Sequence, residues 1–377
     1  MTFLHTADWQ IGKPFARITD PDKAAKVRSE RIEAIRRIGK LAASRNADFV
    51  LVAGDLFDSF TPEKSVVSAA CSAIGEIGVP VLAIPGNHDH GGPGSLWEQE
   101  FFLKECESLA PNFRILLEHE PVELETVVLF PCPLLRQHES TDPTEWLRHL
   151  EINTDKPRII LAHGSVHGFD SDSDGTPNLI ALDRLPAGTF DYTALGDWHG
   201  TMQIDDRAWY PGTPEIDRFP KGENNNPGNV LAVEVARGST PTVERIHTGG
   251  LGWHTVDFDF ASDDDVDRLG ESLSEKIGTR AGQDLLLLTL RGSLGIAAAT
   301  RLDELLETWR SRLLRVKESN TVRLSPSEEE IEGLTLRSGD PLIANVATSL
   351  MTETESDGET AEIARVALRE LYGAVNR

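Results

Sequence analysis

Three short apolar runs, residues 2–7 (TFLHTA), 48–54 (DFVLVAG) and 79–85 (VPVLAIP), are separated by amphipathic stretches at about 22–45 and 62–77. Strands alternating with helices in this way build a sheet covered by helices, because parallel neighbours need long crossovers and runs that are apolar throughout need burial on both sides. Further apolar strands are expected at 127–131, 158–162, 191–195 and 229–235, so residues 1–250 read as one layered α/β domain. At 377 residues the chain is longer than the about 250–300 at which single cores stop growing, and its texture changes after TGGLG at 248–252. There WHTVDFDF, a helix from Ser262, DLLLLTLRG, a helix over 298–315 and NTVRLS suggest a small α+β module spanning 251–326. The polar, punctuated SPSEEEIEGLTLRSGD makes 327–339 read as a linker. PLIANVATSLM and ETAEIARVALRELYGAV carry apolar residues at helical spacing, which predicts a C-terminal helical segment over 340–377.

Composition narrows the functional classes. No apolar run approaches the about 20 residues that span a bilayer, and MTFLHTADWQ lacks a basic segment followed by an apolar one, so we expect a soluble, cytoplasmic protein with no membrane contact. Cys71, Cys106 and Cys132 have no CxxC spacing and read as core thiols rather than a disulfide framework or a zinc knuckle. The formal net charge of -24 repels nucleic acid on average, so work on DNA would need a local basic path, a bound metal or a basic partner. The same acidity equally serves solubility in a salty cell. There is no internal repeat and no heptad run, so no coiled coil is expected within the chain.

Polar residues collect at the ends of the predicted strands. His5, Asp8 and Gln10 follow the first, Asp55 and Asp58 the second (GDLFD), and Asn87, His88, Asp89 and His90 the third (GNHDH). His163 ends RIILAHG, and Asp197 with His199 lies in GDWHG. Each has an ordinary structural explanation alone, as a cap, a turn former or a core histidine. Together they would converge in the crevice at the carboxyl ends of an open α/β sheet. Oxygen donors with neutral imidazoles suit two divalent cations such as Mn²⁺, Mg²⁺ or Fe²⁺, and a pair about 4 Å apart needs a bridging carboxylate, for which Asp55 at its Gly-Asp turn is our choice. Gly54 and Gly86 would let the backbone turn sharply beside the ions.

DWQIG, GDLFD, GNHD, HG and GDWHG, in that order, resemble the five motifs of the calcineurin-like metallophosphoesterase superfamily. HTAD at the start, YPGTPEIDRF at 210–219 and the small module that follows are similar to SbcD-type DNA repair exonucleases. The resemblance implies a sandwich of β-sheets flanked by helices, a cap domain and C-terminal helices. It assigns a first metal to Asp8, Gln10, Asp55 and His199, and a second to Asp55, Asn87, His163 and Asp197. His88 is implied as the residue that protonates the leaving oxygen or steadies the transition state, with Asp89 orienting it. It further implies a two-metal phosphodiesterase, Mn²⁺-dependent with Mg²⁺ as the alternative, that processes DNA ends in repair. The implied partners are DNA, an SbcC-like coiled-coil ATPase docked on the C-terminal helices, and a second copy of the chain. Those helices, PLIANVATSLM and EIARVALRELYGAV, would equally serve to complete the fold.

Two ligand positions depart from the family pattern, Gln10 and Asp197, where members typically carry histidine. Both exchange an imidazole nitrogen for an oxygen, which is expected to favour Mn²⁺ or Mg²⁺ over softer metals. A decayed site would lose other ligands as readily, yet Asp8, Asp55, Asn87, His88, His163 and His199 are all present. The alternative functions are a phosphodiesterase for small molecules or cyclic nucleotides with the same ions, and a scaffold subunit that binds without cutting. Lys13, Arg17, Arg136, Arg184, Arg218 and Lys221 are candidate phosphate contacts or solvated loop charges. Trp9 and Trp198 would wall the pocket or stack on a base, while His5, His90 and His167 are left undecided.

Overall fold

The first apolar run is strand β1 (Thr2–Thr6), followed by α1 (Pro21–Ser44), β2 (Val50–Ala53), α2 (Lys64–Gly75), β3 (Val81–Ile84), α3 (Glu100–Leu109) and β4 (Phe113–Ile115). Next come β5 (Val122–Glu123), β6 (Val128–Cys132), β7 (Arg158–His163), the short pair β8 (Ser165–Val166) and β9 (Leu179–Ile180), and β10 (Tyr192–Gly196). β11 (Met202–Gln203), β12 (Ala208–Tyr210), β13 (Asn229–Glu234) and β14 (Thr242–His247) complete this part. The computed structural model describes the chain except for residues 167–176, 221, 223–224, 281, 325–327, 338, 355–358 and 376–377, and it divides into two compact units, Met1–Leu251 and Gly252–Arg377. No helix among the described residues is long and apolar enough to cross a membrane.

In the first unit the strands form two six-stranded sheets, ordered β14-β13-β1-β2-β3-β4 and β11-β12-β10-β7-β6-β5. β1 to β4 run parallel, as do β6, β7, β10 and β12, so within each sheet the loops that follow these strands leave from one edge. Helix α1 starts at Asp20, whose carboxylate accepts from the N–H groups of Asp22 at 2.9 Å and Lys23 at 3.1 Å, with Pro21 in the first turn. Its buried stripe of Ile35, Ile38 and Ala42 packs with Val67, Cys71 and Ile74 of α2 on one face of the first sheet, against Leu4, Val50, Val52 and Val81. The alternate residues Phe3, Leu51 and Leu82 face the other way and meet Leu129, Ile159, Leu161 and Tyr192 of the second sheet, as the two-residue strand period requires. Full burial of such a side chain contributes about 1.5–3 kcal/mol. The outer face of the second sheet, with Phe130, Ile160 and Leu195, is covered by Leu147 and Phe190. The result is the expected mixed α/β sandwich.

The second unit contains β15 (Gly252–Phe260), α4 (Asp265–Ile277), β16 (Asp284–Leu294), α5 (Ile296–Arg312), β17 (Arg315–Asn320) and β18 (Arg323–Leu324). β15, β16 and β17 pair in parallel, and Leu286, Leu288 and Leu290 pack beneath Leu269, Leu273, Leu302 and Trp309 of the crossover helices. α6 (Glu328–Thr335), α7 (Pro341–Thr354) and α8 (Glu359–Val375) follow, clustered around Leu334, Ala347 and Leu368. The stretch 327–339, expected as a linker, therefore holds helix α6. Ile331 and Leu334, three residues apart on one helical face, find apolar neighbours that outweigh the polar punctuation of the segment.

Candidate metal centre

The loops after β1, β2 and β3 and those after β7 and β10 meet at one place. The first loop follows the second through backbone hydrogen bonds from Asp8 N to Gly54 O at 3.1 Å, Gln10 N to Asp55 O at 2.9 Å and Ile11 N to Leu56 O at 2.8 Å. Ligand atoms of Asp8, Asp55 and His163 all lie within 4.8 Å of one another, and all three residues are buried. Asp197 joins from the fifth loop: its N–H lies 3.2 Å from both oxygens of Asp8, and Ser165 Oγ donates to Asp197 Oδ2 at 2.8 Å.

The backbone is strained where these groups sit. Of the seven non-glycine residues with positive φ among the described residues, four are Asp8 (53°), Gln10 (41°), Asp55 (54°) and Asp197 (110°). Such conformations persist only where the surroundings enforce them, and they gather at functional sites. Glycines make the close approach possible. A Cβ on Gly54 would lie 2.3 Å from His163 Nδ1, one on Gly86 2.2 Å from Asp55 Oδ1, and one on Gly196 1.8 Å from Ala53 O.

His163 has a defined orientation. Nδ1 donates to Ala53 O at 2.8 Å, which directs Nε2 at three oxygens: Asn87 Oδ1 at 3.0 Å, Asp55 Oδ1 at 3.6 Å and Asp197 Oδ1 at 3.8 Å. A nitrogen lone pair facing oxygen lone pairs is repulsive unless positive charge sits among them. Burial disfavours an imidazolium there, yet Asp55, Asp8 and Asp197 outweigh it and raise His163 to about 9. Burial likewise raises Asp8 to about 6, against the pull of His199 and His163. A divalent cation would relieve both, so Asp8, Asp55, Asn87, His163 and Asp197 fit a hard metal ion by donor type and by electrostatics.

The remaining predicted residues divide. His199 lies nearby with Nδ1 3.1 Å from Asp217 Oδ2, whereas Gln10 turns its oxygen to Lys13 Nζ at 2.5 Å and its amide nitrogen to His199 Nε2 at 3.1 Å. The Gln10 carbonyl therefore does not fit a ligand position. His88 is at the rim, with Nδ1 donating to Asp58 O at 3.0 Å and Nε2 3.9 Å from Asp55 Oδ2. Asp89 does not orient it, contrary to expectation: its two oxygens accept from Gly86 N at 2.8 Å and Phe57 N at 3.0 Å, clamping the second and third loops together. Burial, then the charge of Asp55, raises Asp89 to about 7.

His5 lies between the sheets, bonded to Tyr192 OH at 3.0 Å and Leu195 O at 3.1 Å, and burial lowers it to about 3. His90 stacks on Phe60. Trp9 is buried and donates to Thr6 Oγ1, while Trp198 is 37% exposed. Arg17, Arg136 and Arg184 are exposed, and Arg218 lies against the His199 ring. His167 and Lys221 fall outside the described residues.

Three supporting residues escaped the sequence reading. Arg31 is buried in α1 and reaches Trp9 O at 2.6 Å, Asp8 O at 3.2 Å and Glu215 O at 3.1 Å, pinning the first loop to the PEID turn. The signal was an arginine in the apolar stripe of a helix. Glu215 accepts from Gly250 N at 2.6 Å and pairs with Arg37 at 2.7 Å. Asp217, whose side chain is 1% exposed, is held well below the ordinary carboxylate range, since His199, Arg31 and Lys13 together outweigh its burial. Both acids lie within YPGTPEIDRF, where two carboxylates amid apolar residues were the available cue.

A two-sheet α/β fold with carboxylates, an amide and imidazoles converging at its strand ends defines a metal-dependent hydrolase of the sandwich type. The sequence model described as calcineurin-like phosphoesterase matches residues 1–201, and the chain belongs to that family of metal-dependent phosphoester hydrolases, whose members use a dimetal site. One solved structure aligns over 65% of this chain and 98% of its own, at 13% identity and a TM-score of 0.38, a distant likeness.

Proposed function

We propose that the protein is a metal-dependent phosphodiesterase acting on DNA ends, of the SbcD type. The observation that carries the catalytic part is the meeting of Asp8, Asp55 and His163 beneath His88 at the rim. When bound, divalent cations supply the positive charge that offsets a phosphodiester's anionic oxygens and acidify the attacking water. Asp8, Asp55, Asn87, His163, Asp197 and His199 are the groups that would hold them. Asp55 is kept in place by His88 N, which donates to its Oδ1 at 2.9 Å. The Asp58 carbonyl aims His88 so that its outer nitrogen can give a proton to the departing sugar oxygen.

DNA as the substrate is supported by the nuclease-like HTAD and YPGTPEIDRF segments and by the basic Lys13 and Arg218 beside the centre. A partner helix is supported by Leu342, Val346, Ile363 and Val366, which are exposed on α7 and α8. We take that partner to be a coiled-coil ATPase of the SbcC type, and its capture should be lost on deletion of residues 340–377. The net charge of -24 favours a second reading, a small-molecule or cyclic-nucleotide phosphodiesterase. Mn²⁺-dependent hydrolysis of linear duplex DNA, a bis-aryl phosphodiester and a cyclic nucleotide, compared side by side, decides between them. We expect duplex DNA to be cut from its ends and Asp55→Ala to abolish the cutting. Turnover confined to the cyclic nucleotide would overturn the DNA reading.

A further inference from the structure

We propose that Gln10 is a latch on one half of the metal centre and not one of its ligands. The inference rests on the metal-centre reading above. Lys13 Nζ lies 2.5 Å from Gln10 Oε1. An ammonium only donates, so the atom it meets is the amide oxygen, and this fixes which way the amide is turned. The amide nitrogen, also only a donor, then points at His199 Nε2, 3.1 Å away, and stands in the approach to that atom. The other ring nitrogen, Nδ1, lies 3.1 Å from Asp217 Oδ2.

The circuit closes, because Lys13 Nζ also reaches Asp217 Oδ2 at 2.9 Å and Asp58 Oδ1 at 3.5 Å. Arg218 Nη2 adds charge against the same ring, 2.7 Å from Nδ1 and 3.2 Å from Nε2. The ring nitrogen with which His199 would meet a cation is thus covered by the Gln10 amide, and the oxygen with which Gln10 would bind one is engaged by Lys13. A divalent ion seated by Asp8 and His199 must displace the amide and meet the repulsion of two side-chain cations. The other half has the opposite design, since His163 Nε2 faces Asn87, Asp55 and Asp197 oxygens alone among its described polar contacts. The two halves therefore load unequally and in order, the His163 half first and the His199 half only after Gln10 swings away.

Mn²⁺ titration of the full chain, by calorimetry and by electron paramagnetic resonance of the coupled ion pair, tests this without any substrate. The wild type should bind one ion tightly and a second roughly tenfold or more weakly, the scale of a hydrogen bond that has to be given up. Gln10→Ala should tighten the second ion by a similar factor and bring in the coupled-pair signal at lower Mn²⁺. Lys13→Met should do the same, and it stands in if the first variant fails to fold. A second ion that binds Gln10→Ala more weakly or unchanged overturns the latch, because weakening is what loss of a ligand produces. Two equivalent ions in the wild type overturn it as well. A wild type that binds no Mn²⁺ defeats the metal-centre reading itself and takes the latch with it, whereas the choice between DNA and smaller substrates is untouched by any of these results.

Discussion

His163 shows how a single side chain is prepared for an ion. Its Nδ1 is spent on Ala53 O, its Nε2 is aimed at oxygens, and three glycines clear the space around it and its neighbours. Gly86→Ala is therefore expected to be severe: its Cβ would lie 2.2 Å from Asp55 Oδ1 and 2.8 Å from His163 Cε1, so Mn²⁺ affinity measured by calorimetry should collapse. His88→Ala should lower turnover by roughly 10²–10⁴-fold, the usual contribution of a positioned proton donor, while leaving Mn²⁺ bound. Unchanged turnover would remove its assigned role. The residue types at the centre were legible in the sequence because Asp, Asn and His recur after apolar strands. The direction each side chain takes was not. Gln10 and Asp89 both stand at positions that spacing marks as functional, yet a neighbour three residues away and a remote partner turn each elsewhere, Lys13 with His199 and Gly86 with Phe57, and spacing does not reveal those contacts.

The elements explain why the loops meet. β1 and β2 run parallel with Leu4 beside Val50, so their following loops leave together, and the first loop then rides on the second through backbone bonds. α1 secures this arrangement through Arg31. Arg31→Met should strand the carbonyls of Asp8, Trp9 and Glu215, and a buried acceptor left unsatisfied costs about 1–3 kcal/mol, read as a lower urea midpoint. The PEID turn adds a pH dependence. Burial raises Glu215 from the ordinary 4.5 to about 7, so the folded chain holds that proton more tightly than the unfolded chain. Its contribution to stability is fully present below about 4.5 and is lost as pH rises through about 7; Glu215→Gln, which cannot ionise, should flatten the melting temperature over that interval. The strands were readable from their apolar runs, since burial on both faces leaves a continuous signal. Helix α6 was hidden because, among the described residues of the segment, Ile331 and Leu334 alone join the apolar cluster, in a stretch otherwise rich in glutamate.

The chain as a whole pairs a strongly acidic composition, net charge -24, with a centre whose nearest surface groups include Lys13 and Arg218. Divalent cations at that centre would supply the positive charge a polyanionic substrate requires. Each unit has its own apolar core, so Met1–Leu251 expressed alone is expected to fold and bind Mn²⁺, with a cooperative melt as the check. The outline of the fold was legible from the alternation of strands and helices, and the family from five short motifs, while the substrate and partners depend on surfaces that no periodicity records. Five strand-end loops build a metal centre, and anomalous diffraction from crystals soaked in Mn²⁺ is the sharpest test of it. A manganese peak is expected among Asp8, Asp55 and His163; a map with no peak there, or with manganese bound only elsewhere, would rule out a metal centre at this place.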